Sequence, residues 1–322
     1  MSHIKLLTTG GTIASKRDPE TGLQQTGLIS GEELAEKLNL HENINISVEE
    51  IIKVSSSAIT FENLITIKDA VLNALEDDDV DGIVITHGTD TLEETSYFLS
   101  QVIPAGKAVV VTGSQRGPEL IGTDAYANLQ DSITLAADAD AAKIGVSVLF
   151  NSKIFMPRFV KKMSAMNVDG FGGGGTGYLG LVDGHDVKIY QHPAHSNTYN
   201  VEGQLPEVDI IKCALGTDAK FIDCAIDHKV AGLVIETMGR GHANDFVAAG
   251  VKRAVDAGIK VVITSASDEG DVKVAYDFSG GISKFEKDGA VNGGSYDSKK
   301  ARLKLAVMIA AGEEVTAEDF KY

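Results

Sequence analysis

Three stretches of the sequence set side-chain hydroxyls directly behind a run of apolar residues. They are Thr8-Thr9-Gly10-Gly11-Thr12-Ile13-Ala14-Ser15, Thr86-His87-Gly88-Thr89-Asp90-Thr91-Leu92-Glu93-Glu94 and Thr112-Gly113-Ser114-Gln115-Arg116. A fourth, Val54-Ser55-Ser56-Ser57-Ala58-Ile59-Thr60, clusters serines. Hydroxyls of this kind can act as nucleophiles where a neighbouring group takes the proton and donors meet the developing oxyanion. Glycine in each threonine-bearing turn lets the backbone bend sharply or approach a ligand closely. Each segment taken singly reads as structural, because Thr and Ser cap helices and Gly fills turns. Two Gly-Gly and Gly-Thr turns at separate strand ends of one sheet are harder to explain that way, since they bring Thr12 and Thr89 into the same crevice.

The elements that must hold these turns follow from hydrophobic periodicity. Apolar, β-branched runs at 4–8, 46–54, 82–86, 108–112 and 144–150 alternate with helical patterns at 31–40, 61–75, 92–102 and 124–139. Near-continuous apolar strands between amphipathic helices predict an α/β fold with a parallel sheet covered on both faces. In such a sheet, ligands bind beyond the carboxyl ends of the strands, where the hydroxyl-bearing turns lie. Ser30 with Glu33 and Thr91 with Glu94 have the spacing of capping boxes. Glycines crowd the stretch 151–190, which reads as short strands and turns. Residues 191–207 are polar, contain Pro193 and Pro206, and read as a linker. The alternation resumes with strands at 208–214, 232–236 and 260–264 and helices at 218–225, 243–257 and 298–311. The expected organisation is a larger domain over 1–190 and a smaller one over 208–322.

Composition removes several functions. Acidic residues outnumber basic ones 46 to 29, so phosphate-rich partners such as nucleic acids are not expected. No apolar run approaches the roughly 20 residues that cross a bilayer, and the first residues go straight into a strand pattern with no secretory signal. A cytoplasmic protein is expected. The two cysteines, Cys213 and Cys224, read as reduced thiols and have no metal-binding spacing. His192 and His195 are suggestively spaced but lack a third ligand, so no metal site is expected. Gly175-Thr176-Gly177-Tyr178-Leu179-Gly180 satisfies a dinucleotide-binding pattern, yet a strand rather than a helix should follow it, leaving no helix N-terminus for a pyrophosphate.

The segments around Thr12 and Thr89 together resemble the two signature stretches of the bacterial-type L-asparaginase family, and the likeness runs through most of the chain. The resemblance implies a flavodoxin-like N-terminal α/β domain with a smaller α/β C-terminal domain. It implies a homo-oligomer, either a dimer or a tetramer built from intimate dimers. The implied activity is hydrolysis of a small-molecule substrate, L-asparagine and in some members L-glutamine, without metal or organic cofactor. It assigns Thr12 as nucleophile and Thr89, Lys162 and Asp90 as a proton-handling triad. Asp90 also anchors the substrate ammonium. Ser56, with Ser57 beside it, takes the α-carboxylate. The backbone N–H groups of Gly88 and Thr89 contact substrate, and the Ser114 carbonyl accepts from the amide nitrogen.

Plainer readings stand beside these roles. Lys162 lies in Arg158-Phe159-Val160-Lys161-Lys162, which by itself reads as a solvated basic run, and its assignment depends on register against Lys161. Asp90 could cap the next helix, and the serine cluster could do the same at its own helix. The family carries a tyrosine in the loop after the first strand, whereas residues 16–27 here contain none, with Leu23 or Gln24 in its place. His242, in Gly239-Arg240-Gly241-His242, stands where the family has an asparagine or serine, and by itself reads as an exposed turn residue. The alternatives are a glutamine-preferring enzyme of the same fold, an amidase component acting on a larger amide, and a non-catalytic amino-acid-binding protein.

Overall fold

Three strands of the main sheet, Gly82–Thr86, Ala108–Thr112 and Val146–Phe150, are buried at every residue. A strand with no wet face must be covered on both sides, as parallel strands in α/β proteins are. The computed structural model describes residues 1–25, 27–193 and 198–321 and divides into two compact units, 1–198 and 199–322.

Among the described residues, the main sheet of the first unit has eight strands. Their order is Asp186–Ile189, Gly180–Asp183, Lys153–Phe155, Val146–Phe150, Ala108–Thr112, Gly82–Thr86, Ser2–Gly10 and Ile44–Val54. The last five of these are parallel to their neighbours, and the first three are added antiparallel. Counting along the chain, the parallel part runs second, first, third, fourth, fifth, which is flavodoxin-like order. The order reverses between Ser2–Gly10 and Gly82–Thr86. A crevice opens at such a switch point because the connections on its two sides leave in opposite directions.

The core forms where the apolar runs meet the helices. Ile4, Leu6, Val84 and Val110 of the sheet cluster with Leu129 and Ile133 of the helix Ala125–Ala136, all at 0% exposure. Burying each such side chain contributes about 1.5–3 kcal/mol. The helices Phe61–Glu76 and Leu92–Val102 also contact this sheet. The expected helix at 31–40 shortens to Gly31–Ala35, although Ser30 Oγ does accept from the Glu33 N–H at 3.2 Å. Thr60 and Asn63 form a reciprocal capping box that the sequence reading did not anticipate. The strand expected from residue 144 begins at Val146, because Gly145 turns the chain at φ 73°.

The second unit has four parallel strands in chain order: Val208–Lys212, Gly232–Thr237, Lys260–Ser265 and Val291–Asn292. Leu233, Ile235, Val261 and Ile263 pack with Phe285 of the short helix Ile282–Lys287. That helix and the strand Val291–Asn292 are too brief to show a periodicity, which is why neither was expected. Among the described residues, no helix is long and apolar enough to cross a membrane.

Candidate active site

The hydroxyl-bearing turns meet at the switch point because two of them have no side chain at the point of contact. A Cβ on Gly11, whose φ is +85°, would lie 2.5 Å from the Gly88 backbone nitrogen. A Cβ on Gly88 would lie 2.5 Å from Ser56 Oγ. Glycine at both places lets the loops after Ser2–Gly10 and Gly82–Thr86 touch backbone to backbone, with the serine turn against them.

The resulting cleft has a volume near 190 Å³ and is lined by Gly11, Thr12, Ser55, Ser56, Gly88, Thr89, Asp90, Gln115, Lys162 and Ala165. Drug-sized pockets run from about 300 Å³ upward, so this cleft is scaled to a small amino acid. It gathers Thr12, Ser56, Gly88, Thr89, Asp90 and Lys162 from four separate stretches of the chain. Ser57 is exposed and does not line it, its Oγ lying 3.0 Å from Ser55 Oγ. Ser55, which the sequence reading passed over, lines the wall instead. Ser114 is buried behind the wall, its hydroxyl donating to the Arg116 carbonyl at 2.9 Å.

Lys162 decides the polarity of the cleft. Its Nζ donates to Thr89 Oγ1 at 2.8 Å and to Asp90 Oδ1 at 2.7 Å. The side chain is 18% exposed and turned inward, whereas Lys161 is exposed. Alternation along the strand Lys161–Lys162 settles the register that the run of basic residues left open. Gln115, also missed by sequence reading, places Oε1 3.4 Å from Thr89 Oγ1 while its Nε2 donates to the Ser164 carbonyl at 2.9 Å. The Asp124 carboxylate accepts the Gln115 and Arg116 N–H groups, both at 2.9 Å, which fixes that loop.

Two local expectations are corrected here. Thr91 is the N-cap of Leu92–Val102 but makes no capping bond, because its hydroxyl donates to the Ser56 carbonyl at 2.8 Å. The capping box with Glu94 therefore does not form. Asp90 is not the cap either; its N–H donates to Ser56 Oγ at 3.3 Å and its half-open side chain faces the cleft. Both residues give up a local role to tie two loops together.

Of the residues set aside earlier, Gly180 opens a strand, as expected, and no helix follows the glycine pattern. His192 bonds Asp140 at 3.0 Å, while His195 lies outside the described residues. In the loop after the first strand, Lys16–Arg17 and Gln24–Gln25 pair as a hairpin and Leu23 is 69% exposed. Among the described residues, no tyrosine lines the cleft. His242 sits in a turn of the second unit, edge-on to Tyr276 and Phe278 at 5.3 and 5.2 Å between ring centres.

His87 supports the cleft from beneath at 0% exposure. Its Nδ1 lies 2.7 Å from the Gly88 carbonyl, which can only accept, so Nδ1 carries the proton and Nε2 accepts from Thr95 Oγ1 at 2.9 Å. Burial pushes its pKa down from the ordinary 6.5 to about 4. The unfolded chain takes up the proton first as pH falls, so stability drops between these two values. The contribution is complete above pH 6.5 and amounts to about 3 kcal/mol, lost by about pH 4. In urea unfolding, the His87→Gln variant should lose about 2 kcal/mol less than the wild type between about pH 7 and pH 4.5. Equal losses in the two proteins would refute this account of His87.

The fold alone places the chain among doubly wound α/β proteins with a polar ligand cleft at the switch point. Residues 3–195 match the family model for the asparaginase N-terminal domain, and residues 207–318 match that for the glutaminase/asparaginase C-terminal domain. The chain is 43% identical to an L-asparaginase of Bacillus licheniformis over 319 residues, covering 99% of each chain. It is 31% identical to L-asparaginase 2 of Bacillus subtilis over 318 residues, covering 96% of this chain and 83% of that one. The crystal structure of a probable cytoplasmic L-asparaginase from Campylobacter jejuni superposes with a TM-score of 0.88 at 28% identity, covering 100% of both chains. The chain belongs to the asparaginase family.

Proposed function

We propose that this chain hydrolyses the side-chain amide of free L-asparagine to give L-aspartate and ammonia, with Thr12 as nucleophile and Thr89, Lys162 and Asp90 handling protons. The observation that carries the reading is the Lys162 ammonium group bonded at once to Thr89 and Asp90, in a cleft that Thr12 also lines. Thr12 Oγ attacks the carboxamide carbon, and its proton passes through the Thr89–Lys162 pair to the leaving nitrogen, which departs as ammonia. Water then cleaves the resulting aspartyl ester and restores the threonine. The substrate ammonium sits on Asp90. Ser56 Oγ, already an acceptor for the Asp90 N–H, keeps its own proton for the α-carboxylate, with the Gly88 and Thr89 N–H groups beside it. Ser55 joins this set in place of Ser57, and the Ser114 carbonyl is the acceptor assigned to the amide nitrogen. Activation of Thr12 proceeds without a phenol from the first loop.

A cytoplasmic location and assembly as a dimer, or as a tetramer built from dimers, belong to the same reading. The structural relative from Campylobacter jejuni, described as cytoplasmic, supports the first of these. Glutamine is longer by one methylene, a difference worth about 1–3 kcal/mol in a site fitted to asparagine. Steady-state ammonia release should therefore give a kcat/KM for L-asparagine at least roughly tenfold above that for L-glutamine. A ratio at or below one would establish the glutaminase reading instead. Binding of either amino acid with no ammonia released would establish a sensor.

A further inference from the structure

Lys162 is held at both ends, and the second hold is a carboxylate that the proposed chemistry does not use. Glu93 Oε2 accepts the Lys162 main-chain N–H at 2.6 Å. Glu93 is only 3% exposed and lies in the first turn of Leu92–Val102. The residues just before that helix are Thr89 and Asp90, the two partners of the Lys162 Nζ. One short span thus grips the lysine by its ammonium and by its backbone. The strand that carries the lysine, Lys161–Lys162, has only two residues and, among the described residues, pairs only with Phe171–Gly172. So brief a ribbon is weak alone. Where its side chains point therefore depends on what anchors it from outside. A lysine stem is flexible and its three donors rotate freely, so the main chain must bring Nζ within reach of Thr89.

We propose that Glu93 is a positioning residue for this reaction: its buried carboxylate holds the Lys162 backbone so that Nζ stays bonded to the Thr89 hydroxyl. The proposal rests on the reading in which Lys162 and Thr89 handle protons. A helix N-terminus also welcomes an acidic residue for its dipole, and that purely structural role has different consequences. If reach matters, shortening the side chain displaces the lysine while keeping the charge. If only charge matters, removing it without changing length is the harmful change.

The test compares Glu93→Asp, Glu93→Gln and Lys162→Met by steady-state ammonia release from L-asparagine. Glu93→Asp should lose about 10²-fold in kcat, the usual effect of a displacement near 1 Å, with KM within about threefold of wild type. Glu93→Gln keeps an acceptor oxygen at the same reach and should remain within about threefold of wild-type kcat. In the Lys162→Met background, Glu93→Asp should cost nothing more, because the group it positions is gone. Wild-type kcat in Glu93→Asp overturns the proposal. So does a loss in Glu93→Gln as large as in Glu93→Asp, or a full additional loss in the Lys162→Met background. Near-normal turnover by Lys162→Met itself removes the underlying reading of the site. An inactive Lys162→Met beside a normal Glu93→Asp removes the role of Glu93 alone.

Discussion

Thr12→Ala and Thr89→Val are each expected to lower kcat for L-asparagine by roughly 10³-fold or more. Neither change disturbs much else. Valine matches threonine in shape, and in Thr89→Val the Lys162 Nζ keeps its 2.7 Å bond to Asp90. Thr12 begins a single 3₁₀ turn, Thr12–Ala14, so alanine there removes a hydroxyl and leaves the turn. If both hydroxyls act only in the transition state, kcat and kcat/KM should fall together, and KM should stay close to wild type. Residues that work as a unit are also non-additive, so the double variant should be about as slow as the slower single one. Either single variant turning over at more than about a tenth of the wild-type rate would remove that residue from the proposed machinery.

Lys162→Met is the second large effect, with an expected loss of roughly 10²–10⁴-fold in kcat, the range for a positioned proton-transfer group. Methionine nearly fills the space of the lysine stem but donates nothing. Thr89 Oγ1 then loses its 2.8 Å partner, and Asp90 loses the cation that shares its carboxylate. Asp90 should still hold the substrate ammonium, so binding measured by calorimetry should weaken far less than turnover falls. Equal losses in binding and in kcat/KM, with kcat preserved, would assign Lys162 to substrate binding alone. The Lys161→Met variant is the matched control, because its side chain is exposed on the other side of the same two-residue strand and should leave kcat within about twofold.

The main elements of the sheet were legible because their pattern is local. Five-residue runs such as Gly82–Thr86 and Ala108–Thr112 carry no polar side chain before their final threonine, and both proved fully buried. Elements without such a run were missed or misjudged. The expected helix at 31–40 stops at Ala35, and Ile282–Lys287 was not foreseen at all. Of the candidate site, the two threonine turns could be read only as a pair, since each alone passes for a structural turn or cap while two at separate strand ends of one sheet point to a shared crevice. Lys162 could be named only through family likeness, because in a run of basic residues nothing local distinguishes it from Lys161.

By itself the sequence determined the main strands, which of them end in hydroxyl-bearing turns, and an excess of acidic over basic residues. These properties depend on residues adjacent along the chain or on simple totals. Tertiary structure alone decided which neighbour faces the cleft: Ser55 rather than Ser57, and Lys162 rather than Lys161. It also sent the Thr91 hydroxyl to Ser56 rather than to its own helix, and Glu93 to a strand 69 residues away. The physical reason is that a hydrogen bond goes to whatever partner the folded backbones bring within about 3 Å. One such approach, of Gly11 to Gly88, joins the two threonine turns, and no local pattern encodes it.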